Sequence, residues 1–309
     1  LATLLLHHST FANHETSPGH PERPDRYRAV QAVLGQSQFD ALVREEAEVA
    51  DLDATRYVHT NRYVDALEAA RPDDGYAYLD GGDTMMDPST WEVVLRGVGA
   101  TLQAVDKVLD GEVQNAFVAC RPPGHHAETE RAMGFCLFNN ISIGARHAQQ
   151  KHGLMRVAIV DFDVHHGNGT QEIFYSDPSV LYASTHQMPL FPGTGAADET
   201  GVGNIFNAPL AAGDDGIQLR AAFEDKILPE LNAFRPELII VSAGFDAHER
   251  DPLGSLNMTA GDFAWVTREL MKSAETNCQG RLVAVLEGGY DLQGLADSVS
   301  AHVGELMKG

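Results

Sequence analysis

Short apolar runs alternate with longer amphipathic stretches along the whole chain, and this alternation constrains the fold more than any other feature. Strand-like runs lie at 2–6, 116–120, 157–160, 180–185, 238–242 and 282–286. Helix-like segments lie between them at 23–34, 62–69, 88–110, 139–152, 216–234, 260–276 and 292–307. Thr259 and Asp291 stand immediately before the last two segments, where residues of their type cap helices. Strands that are apolar throughout and separated by helices predict an α/β fold with a central parallel sheet and helices on both faces. No repeat, low-complexity tract or Ser/Gly linker interrupts the pattern, so residues 1–309 read as one domain.

Composition narrows the function classes. Lys and Arg total 22 against 44 Asp and Glu, a formal net charge of −22. That balance argues against a nucleic-acid or membrane-surface partner, both of which require a basic face. No apolar run reaches the roughly 18 residues of a membrane span. The opening stretch 1–6 is too short for a signal-peptide core and lacks a basic leader, although the first residue is not Met. Three scattered cysteines, Cys120, Cys136 and Cys278, without C-x-x-C spacing, fit small buried residues in a reducing compartment, so the expected location is cytoplasmic.

The chemistry collects where strands end. The run at 116–120 leads into Arg121-Pro-Pro-Gly-His-His126, and 157–160 leads into Asp161-Phe-Asp-Val-His-His-Gly-Asn168. The run at 238–242 leads into Ala243-Gly-Phe-Asp246, and 282–286 into Glu287-Gly-Gly-Tyr290. In open parallel sheets ligands bind beyond the carboxyl ends of the strands. Asp161, Asp163 and His165 stand at i, i+2 and i+4, so an extended backbone turns all three to one side. Two carboxylates and an imidazole suit zinc, and Asp246 can supply a third protein ligand, leaving a position open for water. A hydrogen-bonded network at a buried strand end accounts for the same residues, and on the residues alone both readings stand. His125 and His126 beside a metal can divide acid and base roles, and Tyr290 can donate to an oxyanion. His7, His8 and His20 are further candidates for the rim, and Gly81-Gly82-Asp83 reads as a turn. The segment Asp246–Asp251 approaches the Asp-x-His-x-Asp pattern of dimanganese ureohydrolases but is one residue too long. Walker, G-x-S-x-G and H-E-x-x-H motifs are absent from the sequence.

Five segments in order resemble one family: Arg121–Ala127, Gly134–Asn140, Asp161–Gln171, Ser242–Asp246 and Glu287–Tyr290, preceded by His-Pro-Glu-Arg-Pro at 20–24. Together they are similar to the zinc-dependent histone deacetylases, and most to the class II-like bacterial amidohydrolases. The resemblance implies a single arginase/deacetylase-type α/β domain that removes acetyl or other short acyl groups from lysine side chains. It implies one catalytic Zn2+ on Asp163, His165 and Asp246. His126 becomes the general base and then acid, supported by Asn168, with His125 as electrostatic companion held by Asp161. Tyr290 becomes the carbonyl-polarising group; class IIa members, poor deacetylases, carry His there. Phe135 and Phe191 would wall the acyl-lysine tunnel, Gly134 would accept the substrate amide N–H, and Gly289 and Leu253 would border the substrate. A structural K+ would draw on Asp161, Asp163, His165, Ser184 and Thr185.

The substrate is expected to be an acyl-lysine peptide or protein. The alternative is an acetylpolyamine or other small acylated amine, with possible esterase side activity. Polyamine deacetylases of the family carry Glu after the Asp-Pro that follows the zinc aspartate; Asp251-Pro252 is followed here by Leu253, which favours acyl-lysine. Oligomeric state stays open.

Overall fold

The computed structural model describes residues 2–309; Leu1, part of the apolar opening stretch, lies outside them. The strands are β1 (Thr3–His7), β2 (Val43–Glu46), β3 (Ala77–Tyr78), β4 (Met85–Met86), β5 (Asn115–Val118), β6 (Val157–Asp161), β7 (Val180–Gln187), β8 (Ile205–Leu210), β9 (Leu238–Ala243) and β10 (Leu282–Leu286). The helices are α1 (Pro24–Leu34), α2 (Asn61–Ala69), α3 (Thr90–Leu109), α4 (Asn140–His152), α5 (Asn168–Phe174), α6 (Gly216–Ala222), α7 (Leu228–Phe234), α8 (Ala260–Cys278) and α9 (Leu292–Leu306).

Eight strands form one parallel sheet in the order β2-β1-β5-β10-β9-β6-β7-β8, and β3 and β4 pair separately as an antiparallel ribbon. Successive residues of a strand point to opposite faces. Leu5, Ala158 and Val160 therefore pack with α1 and α6–α9, while Leu4, Leu6, Val157 and Ile159 pack with α3 and α4. The predicted α/β architecture is the observed one. Two sheet strands escaped the apolar pattern because they lie at the edges. β2 reads Val-Arg-Glu-Glu and keeps its charges in water, a common guard on an open edge. β8 carries Pro209, tolerated because an edge strand has no second neighbour.

Helix termini follow local chemistry. Asp291 accepts from the Gly294 backbone N–H, and the Asp262 side chain reaches back to accept from the Thr259 N–H and hydroxyl. The expected helix 216–234 is continuous but passes through a π turn at Phe223–Ile227. Pro229 has no N–H to return to the preceding turn, which accounts for the wider ladder there. Among the described residues, no helix is long and apolar enough to cross a membrane.

Candidate active site

The four motif-bearing strands are neighbours: β5, β10, β9 and β6 run consecutively across the sheet. Their carboxyl ends therefore deliver the loops beginning at Ala119, Glu287, Gly244 and Phe162 to one place. Register sets Asp161 between Ser242 of β9 and Ser184 of β7.

Asp163, His165 and Asp246 are buried there with one ligand atom of each within 4.8 Å of the others. His165 Nδ1 lies 3.2 Å from Asp163 Oδ1 and 3.0 Å from Asp246 Oδ2. The outer oxygens are occupied: Gly288 N–H donates to Asp163 Oδ2, and Val164 N–H to Asp246 Oδ1. A Cβ on Gly288 would collide with both carboxylates, so this glycine keeps the space between them clear. Burial opposes protonation of His165, but hydrogen bonds to Asp163 and Asp246 overcome it and lift the ring to about 10. Burial and the charge of Asp163 push Asp246 up. Burial also opposes ionisation of Asp163, but the charges of His125 and His165 hold it down. Two carboxylates and an imidazole that share a positive charge are a donor set suited to zinc, which would displace the ring proton. The residues fit the ion the resemblance implies.

The two histidines stand in different electrostatic environments. His125 Nδ1 is 2.9 Å from Asp161 Oδ2, which also accepts from the Tyr182 hydroxyl. Burial disfavours a charge on His125, but Asp161 and Asp163 prevail and raise it well above its ordinary value. His126 Nδ1 is 2.8 Å from Asn168 Oδ1. Asn168 is oriented by its other end, since its Nδ2 donates to Glu128 Oε1 at 2.7 Å. The amide oxygen thus faces His126, Nδ1 carries the hydrogen, and Nε2 is left as an acceptor. Burial and the charges of His125 and His165 hold His126 well below the usual imidazole range.

Tyr290 is carried by a loop fixed from three sides. Asp251 Oδ2 accepts from the Tyr290 N–H at 2.6 Å. Arg26 donates to the carbonyls of Gly289 and Glu287 and lies 4.7 Å from the Tyr290 ring centroid. The Glu287 carboxylate accepts from the N–H groups of Gly124 and His125, which ties this loop to the histidine turn. Burial keeps the Tyr290 phenol well above its ordinary value, so it remains a donor. Beneath lies Glu22, fully buried between Arg26 and Arg121. Burial alone would raise Glu22, but the charges of Arg121, His14 and Arg26 bring it down to about 2.

A cavity of about 260 Å³ opens above these groups, lined by His126, His165 and Tyr290 at its floor and by Phe135, Phe191 and Leu253 higher up. Phe135 meets Tyr290 at 5.8 Å between ring centroids, and Phe191 meets His126 at 5.2 Å. Gly134 and Phe135 both have positive φ, 56° and 70°, and a Cβ at Gly134 would overlap the His126 ring. A left-handed Phe costs on the order of 1–2 kcal/mol, and here that conformation sets the ring against the cavity. Gly134 O receives the Cys136 thiol at 3.3 Å. Gly289 does not line the cavity; its carbonyl is turned to Arg26. The Ser184 hydroxyl pairs with His186 Nδ1, and Thr185 is buried beside it.

His20 stands at the rim, 4.7 Å from the Phe135 ring, whereas His8 caps Thr10. Gly81-Gly82-Asp83 is the turn expected, closed by Asp80 Oδ1 accepting from the N–H groups of Gly82, Asp83 and Thr84. Sequence reasoning missed that Asp80 and Asp83 line the cavity mouth, with the Asp83 residue exposed. It also missed the supporting roles of Asp251, Arg26 and Glu287. Asp251 stood out only by its odd spacing from Asp246 and as the residue before Pro252 and Leu253, and neither pointed to a support for Tyr290.

The histone deacetylase domain family matches residues 20–306. The chain is 41% identical to a probable deacetylase of Archaeoglobus fulgidus, over 95% of this chain and 83% of that protein. It is 39% identical to histone deacetylase 10, chloroplastic, of Oryza sativa subsp. japonica, over 96% of this chain and 71% of that one. It is also 39% identical to a histone deacetylase-like amidohydrolase of Pseudomonas aeruginosa, over 88% and 73%. A crystal structure of the HDA15 HD domain superposes with a TM-score of 0.94 at 36% identity, covering 100% of this chain and 89% of that one.

Proposed function

Because the chain belongs to the histone deacetylase family of amidohydrolases, we propose that it is a zinc-dependent hydrolase that removes acetyl or other short acyl groups from lysine side chains. The observation that carries this reading is the bare Nε2 of His126, fixed by the Asn168 contact, beside the buried Asp163–His165–Asp246 set. Those three residues would hold the zinc ion, which when bound supplies Lewis-acid polarisation of a carbonyl and acidifies water.

The remaining steps belong to the chain's own groups. His126 Nε2 takes the proton of the attacking water, a role suited to an imidazole held neutral. The Tyr290 hydroxyl donates to the oxygen that becomes negative as the acyl carbon turns tetrahedral. His126 then passes its proton to the departing lysine amine, leaving acetate and a free amine. His125, kept cationic by Asp161, stabilises the developing negative charge without moving a proton. Phe135 and Phe191 exclude water from the methylene stem, and a carbonyl lone pair of Gly134 accepts the substrate N–H. A potassium ion would be held by the oxygen-rich ends of β6 and β7, from Asp161, Asp163, His165, Ser184 and Thr185.

A second reading, an acetylpolyamine or other small acyl-amine amidohydrolase, is favoured by one observation. Asp83 presents a carboxylate at the cavity mouth that could pair with a distal ammonium. Leu253, on the same cavity, offers only apolar contact and supports the peptide substrate. The purified protein, assayed against acetyl-lysine peptides, longer acyl-lysines and acetylpolyamines, is expected to show its highest kcat/KM on an acetyl-lysine peptide. Preference for acetylputrescine or acetylspermidine would replace the first reading with the second.

A further inference from the structure

A second cluster of metal-ligating side chains lies far from the cavity. Asp106 projects from α3, and His147 and His152 project from the last turns of α4. After His152 the chain turns at Gly153 and enters β6 at Val157, whose far end is Asp161. The cluster is therefore at the opposite end of the sheet from the candidate active site. Asp106 Oδ1 is 2.8 Å from His147 Nε2 and 2.7 Å from His152 Nε2, and the three ligand atoms all lie within 4.8 Å of one another.

We propose that Asp106, His147 and His152 form a second, non-catalytic site for a divalent transition-metal ion, which clamps α3 to α4. Two imidazoles and one carboxylate oxygen make a donor set for zinc or a neighbouring first-row dication. Metal–ligand bonds of about 2.0–2.2 Å in a tetrahedron put donor atoms about 3.3 Å apart. The observed separations from Asp106 need to open by only about half an ångström to reach it. Both rings already turn Nε2 to the same oxygen of Asp106. Tyr57 lies nearly parallel to His147, 6.3 Å between ring centroids and 25° between planes. Asp110 Oδ1 lies 3.8 Å from His152 Nδ1, on the side where an outer carboxylate would fix the tautomer of a ligating histidine.

Access and field also suit a cation. Asp106 and His147 border a cavity of about 300 Å³ that Glu48, Asp51, Asp110 and Glu112 also line, with Lys107 the one Lys or Arg in its wall. It leaves room for water to complete the coordination. The competing group is Lys151, whose Nζ is 2.7 Å from the other oxygen, Asp106 Oδ2. Its side chain is 55% exposed and can swing into solvent, and it leaves Oδ1 to the two histidines. This site stands independently of the reading of the cavity.

The test is a zinc titration of the tag-free holoprotein, its first equivalent already bound, followed by calorimetry and elemental analysis after gel filtration. A second equivalent is expected, together with a rise in Tm. His147→Ala and His152→Ala should each weaken it at least about tenfold, and the double variant should abolish it, with the first equivalent and the deacylase rate unchanged. Lys151→Gln keeps all three ligands and removes the competing ammonium, so it should tighten the second site. The proposal is overturned if the holoprotein takes up no second equivalent, if the double variant keeps it, or if Lys151→Gln leaves the affinity unchanged.

Discussion

Asp251 Oδ2 accepts the backbone N–H of Tyr290 at 2.6 Å, so a carboxylate from the loop after β9 fixes a residue of the loop after β10. Its other oxygen accepts from Leu253 N–H at 3.0 Å, which couples a cavity wall to the same anchor. Asp251→Ala should lower kcat by up to about 100-fold through misplacement of the phenol, with bound metal unchanged. Asp251→Asn keeps an acceptor and should recover most of that loss. Equal kcat in Asp251→Ala and the unsubstituted protein would show that the anchor is dispensable.

Tyr290→Phe removes one donor from the oxyanion site while preserving the ring contact with Phe135. Turnover should fall about 10²–10³-fold. Steady-state kinetics alongside elemental analysis checks it; near-normal turnover with metal bound would remove Tyr290 from the reaction.

Gly288→Ala places a methyl group against the Asp163 and Asp246 carboxylates without altering a ligand. Metal affinity should drop at least about tenfold, as should that of Asp163→Ala, His165→Ala and Asp246→Ala. Competition with a chelator measures this, and undiminished affinity in all four would mean that the donor set is misassigned.

Stability should fall on the acid side because of buried histidines outside the site. His302 is enclosed by Phe117, Phe162 and Phe245, with Nδ1 2.7 Å from the Thr267 hydroxyl oxygen. Burial depresses its folded value from 6.5 to about 3. Between these values the unfolded chain binds a proton that the folded chain refuses, so acid favours unfolding by about 1.4 kcal/mol per pH unit. His302→Leu should flatten the decline in urea midpoints from pH 6.5 towards 5. An unchanged slope would assign the acid sensitivity to other groups.

Substrate choice can be read from two mouth residues. Leu253→Glu should shift kcat/KM towards acetylpolyamines, and Asp83→Asn should weaken them relative to acetyl-lysine peptides. If neither substitution moves the ratio, the mouth does not select the substrate.

The strand ends at Asp161, Asp246 and Tyr290 were legible because one local pattern, an apolar run followed by glycine and polar residues, encodes both a buried parallel strand and its exposed carboxyl end. The i, i+2, i+4 spacing of Asp161, Asp163 and His165 likewise needs only an extended backbone. The edge strands β2 and β8 were not legible, since one-sided pairing removes the demand for continuous apolar residues. Nor were the supports: Glu287 reaches His125 across 162 residues, Arg26 reaches Gly289 across 263, and Asp83 comes to the cavity from the ribbon between β3 and β4. Chain sequence sets which side chains are available at each strand end. Which buried carboxylate meets which backbone N–H depends on strand order, and that order is decided by how the helices cover the two faces of the sheet.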